Sequence, residues 1–223
     1  MLDWLCRIFL YPAPAIKFST EEAQAYEKLA LNATEDGLIE YDLPYAKFRY
    51  LTYVSLKGLY VFHGSNHTGI RIFEPREQTL YNGQWTKAVF AASDPHWPMF
   101  YAIFNRSRLK GSFRNGCIRG RKQNYHFYSL NQSTISNGPW TEGMVYFLPR
   151  ESFTAPKPRG ISFDEWLCHE PVAPIAKLKV CQDDCYYHNK IAVHNDGESL
   201  IKTWLLYKTR TTPRRTQGGN SDE

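Results

Sequence analysis

Arg106, Arg108, Lys110, Arg114, Arg119, Arg121 and Lys122 fall within one stretch that holds no acidic residue. Phe113 lies inside it, and Tyr125, His126, Phe127 and Tyr128 follow. Cations for phosphate contact interleaved with rings for base stacking are what single-stranded nucleic acid requires. Arg119, Arg121 and Lys122 are therefore the candidate nucleic-acid contacts, although a solvated basic loop has the same composition. A second chemical feature is a histidine at a strand end. Gly58 to Phe62 reads as a buried strand running into His63-Gly64-Ser65. Cys181, Cys185 and His188 are ligand types at close spacing, but four ligands at finger spacing are absent and no metal is expected.

The elements that must carry these residues are short. Ser19 with Glu22 three positions later is a capping box, followed by helix formers from Ala23 to Asn32. Asp94-Pro95 supplies an N-cap and first-turn proline for a second helix bearing Trp97, Phe100, Tyr101 and Phe104. Further strands are expected at Ala88–Ala91, Asn124–Ser129, Met144–Leu148, Ile175–Val180 and Leu200–Tyr207, with Arg106 to Lys122 as a loop. Many short strands and few helices imply an α+β fold.

With 223 residues and 43% apolar content, the chain can bury one large core, and the net charge of +5 is modest. Aromatic residues make up 15%, which suits flat ligands and strand-rich cores alike. No run reaches the ~20 apolar residues of a membrane span, and the stretch Leu5–Leu10 is broken by Arg7. No membrane partner or secretory signal is expected, and Leu2, Trp4, Leu5, Ile8, Phe9 and Leu10 are expected to cap the core. Five scattered cysteines point to a reducing, cytoplasmic setting, which makes the sequons at Asn32, Asn66, Asn105 and Asn131 chance matches. The organisation expected is an N-terminal helical accessory segment over 1–50, a main domain over 51–208 and a disordered basic tail over 209–223.

Three segments in order resemble the ADP-ribosyltransferase superfamily, in the branch of diphtheria-toxin-like enzymes and poly(ADP-ribose) polymerases. They are Phe62-His63-Gly64-Ser65 with Gly69-Ile70-Arg71-Ile72, then Ala88-Val89-Phe90-Ala91 with the helix carrying Phe100 and Tyr101, then Asp164-Glu165-Trp166-Leu167-Cys168-His169 running on to Ala176–Val180. Together they span a little over half of the chain. The resemblance implies a split β-sandwich with peripheral helices, NAD as substrate, and a cleft at the ends of the strands carrying His63, Val89 and Glu165.

The resemblance also implies roles. Glu165 is the catalytic candidate, holding the nicotinamide ribose and stabilising an oxocarbenium-like state as carboxylates do in glycoside cleavage. His63 would bind the adenosine ribose, Gly64 would offer backbone groups to the carboxamide, and Ser65 would add a hydroxyl. Arg71 is the candidate for the NAD diphosphate, with Arg76 as alternative. The position of the family's stacking Tyr is Val89 here, so Phe90, Phe100 or Tyr101 must supply the aromatic face. The short segment between His63 and Val89 implies transfer of a single ADP-ribose. The acceptor is a macromolecule, nucleic acid slightly ahead of protein, in a toxin or phage-defence effector that would have an antitoxin or inhibitor protein as partner. The alternatives are an RNA 2′-phosphotransferase-like enzyme, which needs no glutamate at the third motif, and a non-catalytic module of the same fold.

Overall fold

A computed structural model describes residues 2–30, 34, 36–79, 83–156 and 161–211. In chain order the elements are α1 (Leu2–Phe9), β1 (Tyr11–Pro12), α2 (Thr20–Ala30), α3 (Lys47–Leu56), β2 (Tyr60–Ser65), β3 (Arg76–Thr79) and β4 (Trp85–Ala91). They continue as α4 (His96–Ile103), β5 (Phe113–Arg119), β6 (Asn124–Asn131), α5 (Gln132–Ser136), β7 (Gly143–Pro149), β8 (Trp166–Cys168), β9 (Ala176–Val180), β10 (Ala192–His194) and α6 (Leu200–Thr211).

The strands form three small sheets, none closed among the described residues. In the first, β6 pairs antiparallel with β5 and β1 and parallel with β10. The second is β2-β7-β9 and the third β3-β4-β8, all antiparallel. Two seams join them. Phe62 and Ala92 exchange backbone bonds of 2.7 and 2.9 Å between the second and third sheets. Segment 162–164 runs along β5 through Arg119 N–H to Ser162 O and Asp164 N–H to Cys117 O, both 2.8 Å, before the chain enters β8 in the third sheet.

The molecule is α+β, but its helices are not all peripheral. The sequence of α4, His-Trp-Pro-Met-Phe-Tyr-Ala-Ile, is apolar nearly all round, and such a helix must be enclosed. Met99, Phe100, Ala102 and Ile103 are fully buried against β2 and β7. Two glycines permit that approach: a Cβ on Gly64 would lie 1.7 Å from the Pro98 carbonyl oxygen, and one on Gly143 2.0 Å from that of Ala102.

The α2 cap forms, with Ser19 Oγ accepting from Glu22 N–H at 3.1 Å. The Glu22 carboxylate reaches Arg49 of α3 through two 2.7 Å bonds. The boundary expected at 50/51 falls inside α3, and α2 ends at Ala30, with Asn32 outside the described residues.

Four local expectations are corrected. Leu200–Tyr207 is helix, not strand: Thr203 and Tyr207 are its buried residues while Leu205 between them is exposed, a pattern that fits a helical turn and breaks a strand's period of two. That helix continues through Thr209–Thr211, the first residues of the expected tail, while 212–223 lie outside the described residues. The basic stretch is a loop only in its first half, since β5 starts at Phe113. The N-terminal apolar residues divide: Cys6 and Leu10 are buried, whereas Trp4, Leu5 and Ile8 form an exposed stripe on α1.

Candidate active site

Backbone N–H and C=O groups along a strand point alternately to its two edges. Phe62 directs both of its groups to Ala92, so those of Gly64, two residues on, face the same edge, away from β7. Among the described residues no strand pairs with that edge beyond Phe62, where the second and third sheets part. The Gly64 amide and carbonyl thus form a donor and acceptor pair at the mouth of a split between two sheets.

The imidazole of His63 wedges into the split, with Nδ1 2.6 Å from the Phe90 carbonyl oxygen and the ring 4.7 Å from that of Phe73. A carbonyl only accepts, so Nδ1 carries the proton and Nε2 presents a lone pair. Burial lowers the His63 pKa; the Phe90 carbonyl opposes this, and the charges of Arg76 and Arg106 lower it further. His63 is therefore neutral at physiological pH, a hydrogen-bond acceptor suited to a hydroxyl.

The loop after β2 is pinned from below. Tyr146 donates its hydroxyl proton to His67 O at 2.6 Å and accepts from Ile70 N–H at 3.1 Å. Ser65 Oγ accepts from His67 N–H at 3.1 Å, and Asn66 donates to Ala102 O at 2.7 Å, capping the last turn of α4. Arg71 lies exposed in this loop, whereas Arg76 and Arg106 are the arginines whose charges reach His63.

Of the three rings proposed for stacking, Phe100 is fully buried, stacked on Phe104 at 5.3 Å and tilted on Tyr128. It is core and offers no face to a ligand. Phe90 and Tyr101 are half-buried. Tyr101 donates to Asn115 Oδ1 at 2.9 Å, the same oxygen that receives Trp97 Nε1 at 2.6 Å. Burial raises the Tyr101 hydroxyl pKa, Arg106 and Asn115 pull it back, and the charge of Glu165 adds to the rise. Val89 is buried in a cluster with Val61, Phe73 and Ala91.

Glu165 is buried at the point where the chain leaves the edge of β5 and enters β8. Its neighbour Asp164 fixes this corner. The fully buried Asp164 carboxylate accepts from Ser93 Oγ at 2.8 Å, Asp94 N–H at 2.7 Å, Trp166 Nε1 at 3.2 Å and Arg119 Nη2 at 2.9 Å. The guanidinium groups of Arg119 and Arg150 each lie over the Trp166 indole, at 5.4 and 4.7 Å.

The Arg106 guanidinium lies over the Tyr101 ring at 5.1 Å. Arg106 acts electrostatically on both His63 and Tyr101, and Glu165 acts on Tyr101. The basic set divides, because Arg119 is committed to Asp164, while Arg121 and Lys122 lie exposed on the β5–β6 turn. That turn is tied to α1 by Arg121 N–H bonds to Asp3 of 3.1 and 3.2 Å.

A buried polar group lies behind the site. Asp94, Cys117 and His126 bring a carboxylate oxygen, a sulfur and a ring nitrogen within 4.8 Å of one another, a donor set of the kind that holds metal ions. Hydrogen bonds already account for the carboxylate: it lies 3.0 Å from His126 Nε2 and accepts from Asn124 Nδ2 at 3.2 Å and His96 N–H at 3.1 Å. The group pins the start of α4 to β5 and β6. Elsewhere, His188 Nε2 bonds Gln182 at 2.7 Å, and all five cysteines are free.

Comparison with protein-family models, curated proteins and solved structures found no match. The site is therefore read from its own chemistry. Asp164, Tyr146 and Asn66 are not singled out by the sequence as site residues, and Arg106 only as the first cation of the basic stretch. For Arg106 the available signal was its place one turn beyond an aromatic helix; Asp164 carried no signal apart from its neighbour Glu165.

Proposed function

We propose that this protein transfers a single ADP-ribose unit from NAD to a macromolecular acceptor. The observation that carries the reading is the opened edge at Gly64, where a backbone donor and acceptor two atoms apart along a strand match a primary carboxamide. Next to it in β2 is a histidine whose Nδ1 is held by the Phe90 carbonyl. Tyr101, half-buried, lies in the last turn of α4 that Asn66 ties to the end of β2, and the charge of the buried Glu165 acts on its hydroxyl.

In this reading Gly64 holds the carboxamide of nicotinamide, Tyr101 or Phe90 offers a ring face, and His63 Nε2 accepts a ribose hydroxyl. The bond between the ribose anomeric carbon and the nicotinamide nitrogen breaks, its electron pair leaving with nicotinamide. Glu165 stabilises the positive charge that develops on the ribose. An acceptor oxygen or nitrogen then bonds to the anomeric carbon, and its proton passes to Glu165 or water.

Nucleic acid stays slightly ahead of protein as acceptor, on Arg121 and Lys122 alone, since Arg119 has a structural partner. A non-catalytic module of the same fold is the second reading, favoured by the buried Val89 at the position where the family stacks an aromatic. Incubating the protein with labelled NAD and separate pools of RNA, DNA and cell protein decides between them. Label in one pool supports transfer and names the acceptor class; label in none, with NAD intact, favours the module.

A further inference from the structure

Arg106 follows α4 in a short 3-10 turn over Arg106–Arg108. The turn is held by Asn105, whose Oδ1 accepts from Ser107 N–H at 3.0 Å and Ser107 Oγ at 2.7 Å. The Arg106 guanidinium lies over two rings, Tyr101 at 5.1 Å and Phe113 at 5.5 Å. Among the described residues no carboxylate pairs with Arg106 or Arg76. Asn66, at the end of β2, bonds the carbonyl of Ala102 in the last turn of α4, so the turn bearing Arg106 leaves α4 beside the opened edge.

A guanidinium laid on aromatic faces has its plane set in advance while its N–H edge stays outward, the arrangement that binds phosphate through two parallel hydrogen bonds. We infer that Arg106 holds the diphosphate linker of a dinucleotide, with Arg76 as a second cation; Arg76 stands opposite Ala88 in the β3–β4 pair, and Ala88 is two residues before Phe90, whose carbonyl holds His63. This rests on the transferase reading for the position of the dinucleotide and replaces Arg71 as the diphosphate ligand. With the carboxamide at Gly64 and a ribose at His63, the linker passes the end of α4.

Calorimetric titration of the full-length protein with ADP-ribose, and separately with nicotinamide, tests the assignment. Arg106→Gln is expected to weaken ADP-ribose binding by about tenfold or more, the range for loss of charged hydrogen bonds, and to leave nicotinamide binding unchanged. Arg106→Lys, keeping charge without the planar fork, should fall between, and Lys57→Gln should bind as wild type. Wild-type affinity for ADP-ribose in Arg106→Gln overturns the assignment, as does equal loss of both ligands or a loss confined to Arg71→Gln. If Arg106→Gln loses affinity only for single-stranded RNA, the arginine serves an acceptor phosphate and the diphosphate assignment fails. Arg106-dependent ADP-ribose binding by a protein that transfers no label from NAD would remove the transferase reading and leave this one standing.

Discussion

The carboxylate of Asp164 receives both Nε and Nη2 of Arg119 on a single oxygen, at 3.0 and 2.9 Å, and has no exposure of its own. This pair lies directly before Glu165 and at the seam between two sheets. Removing the cation leaves a buried carboxylate short of its principal partner, which costs about 3–5 kcal/mol in comparable pairs. Arg119→Ala should lower stability by roughly that amount in urea unfolding. It should depress transfer and acceptor-free NAD hydrolysis together, because its effect runs through the position of Glu165. Loss of transfer with hydrolysis intact would return Arg119 to the acceptor site.

Gly64 and Pro98 give a second prediction. With a Cβ only 1.7 Å from a helix carbonyl oxygen, Gly64→Ala must push α4 away from β2. Overpacking of a well-packed core costs about 1–3 kcal/mol and occasionally more, and backbone against backbone leaves no side chain to yield. A loss of about 3 kcal/mol or more is expected from denaturant midpoints; unchanged stability would mean the helix is seated differently.

Glu198 gives the clearest pH dependence. Its contact with Arg210, two bonds of 2.7 Å, is the main cause holding its pKa at about 2, below the ordinary 4.5, and Thr203 assists. A carboxyl whose pKa is lowered by folding binds more protons when unfolded, so its contribution to stability is complete above about 4.5 and is lost as pH falls through about 2. Urea unfolding at pH 6 and pH 3 should show a larger drop for wild type than for Glu198→Gln. Equal drops would show that the pair contributes nothing to acid sensitivity.

Much of this frame was legible in sequence. β2, β4, β7 and β9 are apolar runs bounded by turn residues, and Asp94-Pro95 marked the start of α4 to within a residue. Leu200–Tyr207 misled because a short apolar run fits a buried strand or a helix equally. Its deciding feature, Thr203 and Tyr207 buried with Leu205 between them exposed, is a matter of burial that the run of apolar residue types masked. Depth was the harder quantity. Phe100 and Tyr101 are adjacent aromatics, yet one is enclosed by Phe104 and Tyr128 and the other faces Arg106. Arg119 read as a surface cation because its partner lies 45 residues away along the chain.

The acceptor preference now rests on two residues. If Arg121 and Lys122 contact a single-stranded backbone, the double change to Gln should flatten the salt dependence of RNA binding by about 1.4 in log–log slope, at about 0.7 per contact. Hydrolysis of NAD without acceptor should stay unchanged. An unaltered slope would remove the nucleic-acid preference.

The central claim is that Glu165 provides the charge for breaking the bond between nicotinamide and ribose. The most direct measurement is label transfer from NAD by wild type and Glu165→Gln, paired with calorimetric NAD affinity for both. The account predicts retained affinity and a fall in transfer of at least about a hundredfold, the scale of losing one electrostatic contact to a transition state. Transfer by Glu165→Gln at the wild-type rate would contradict it.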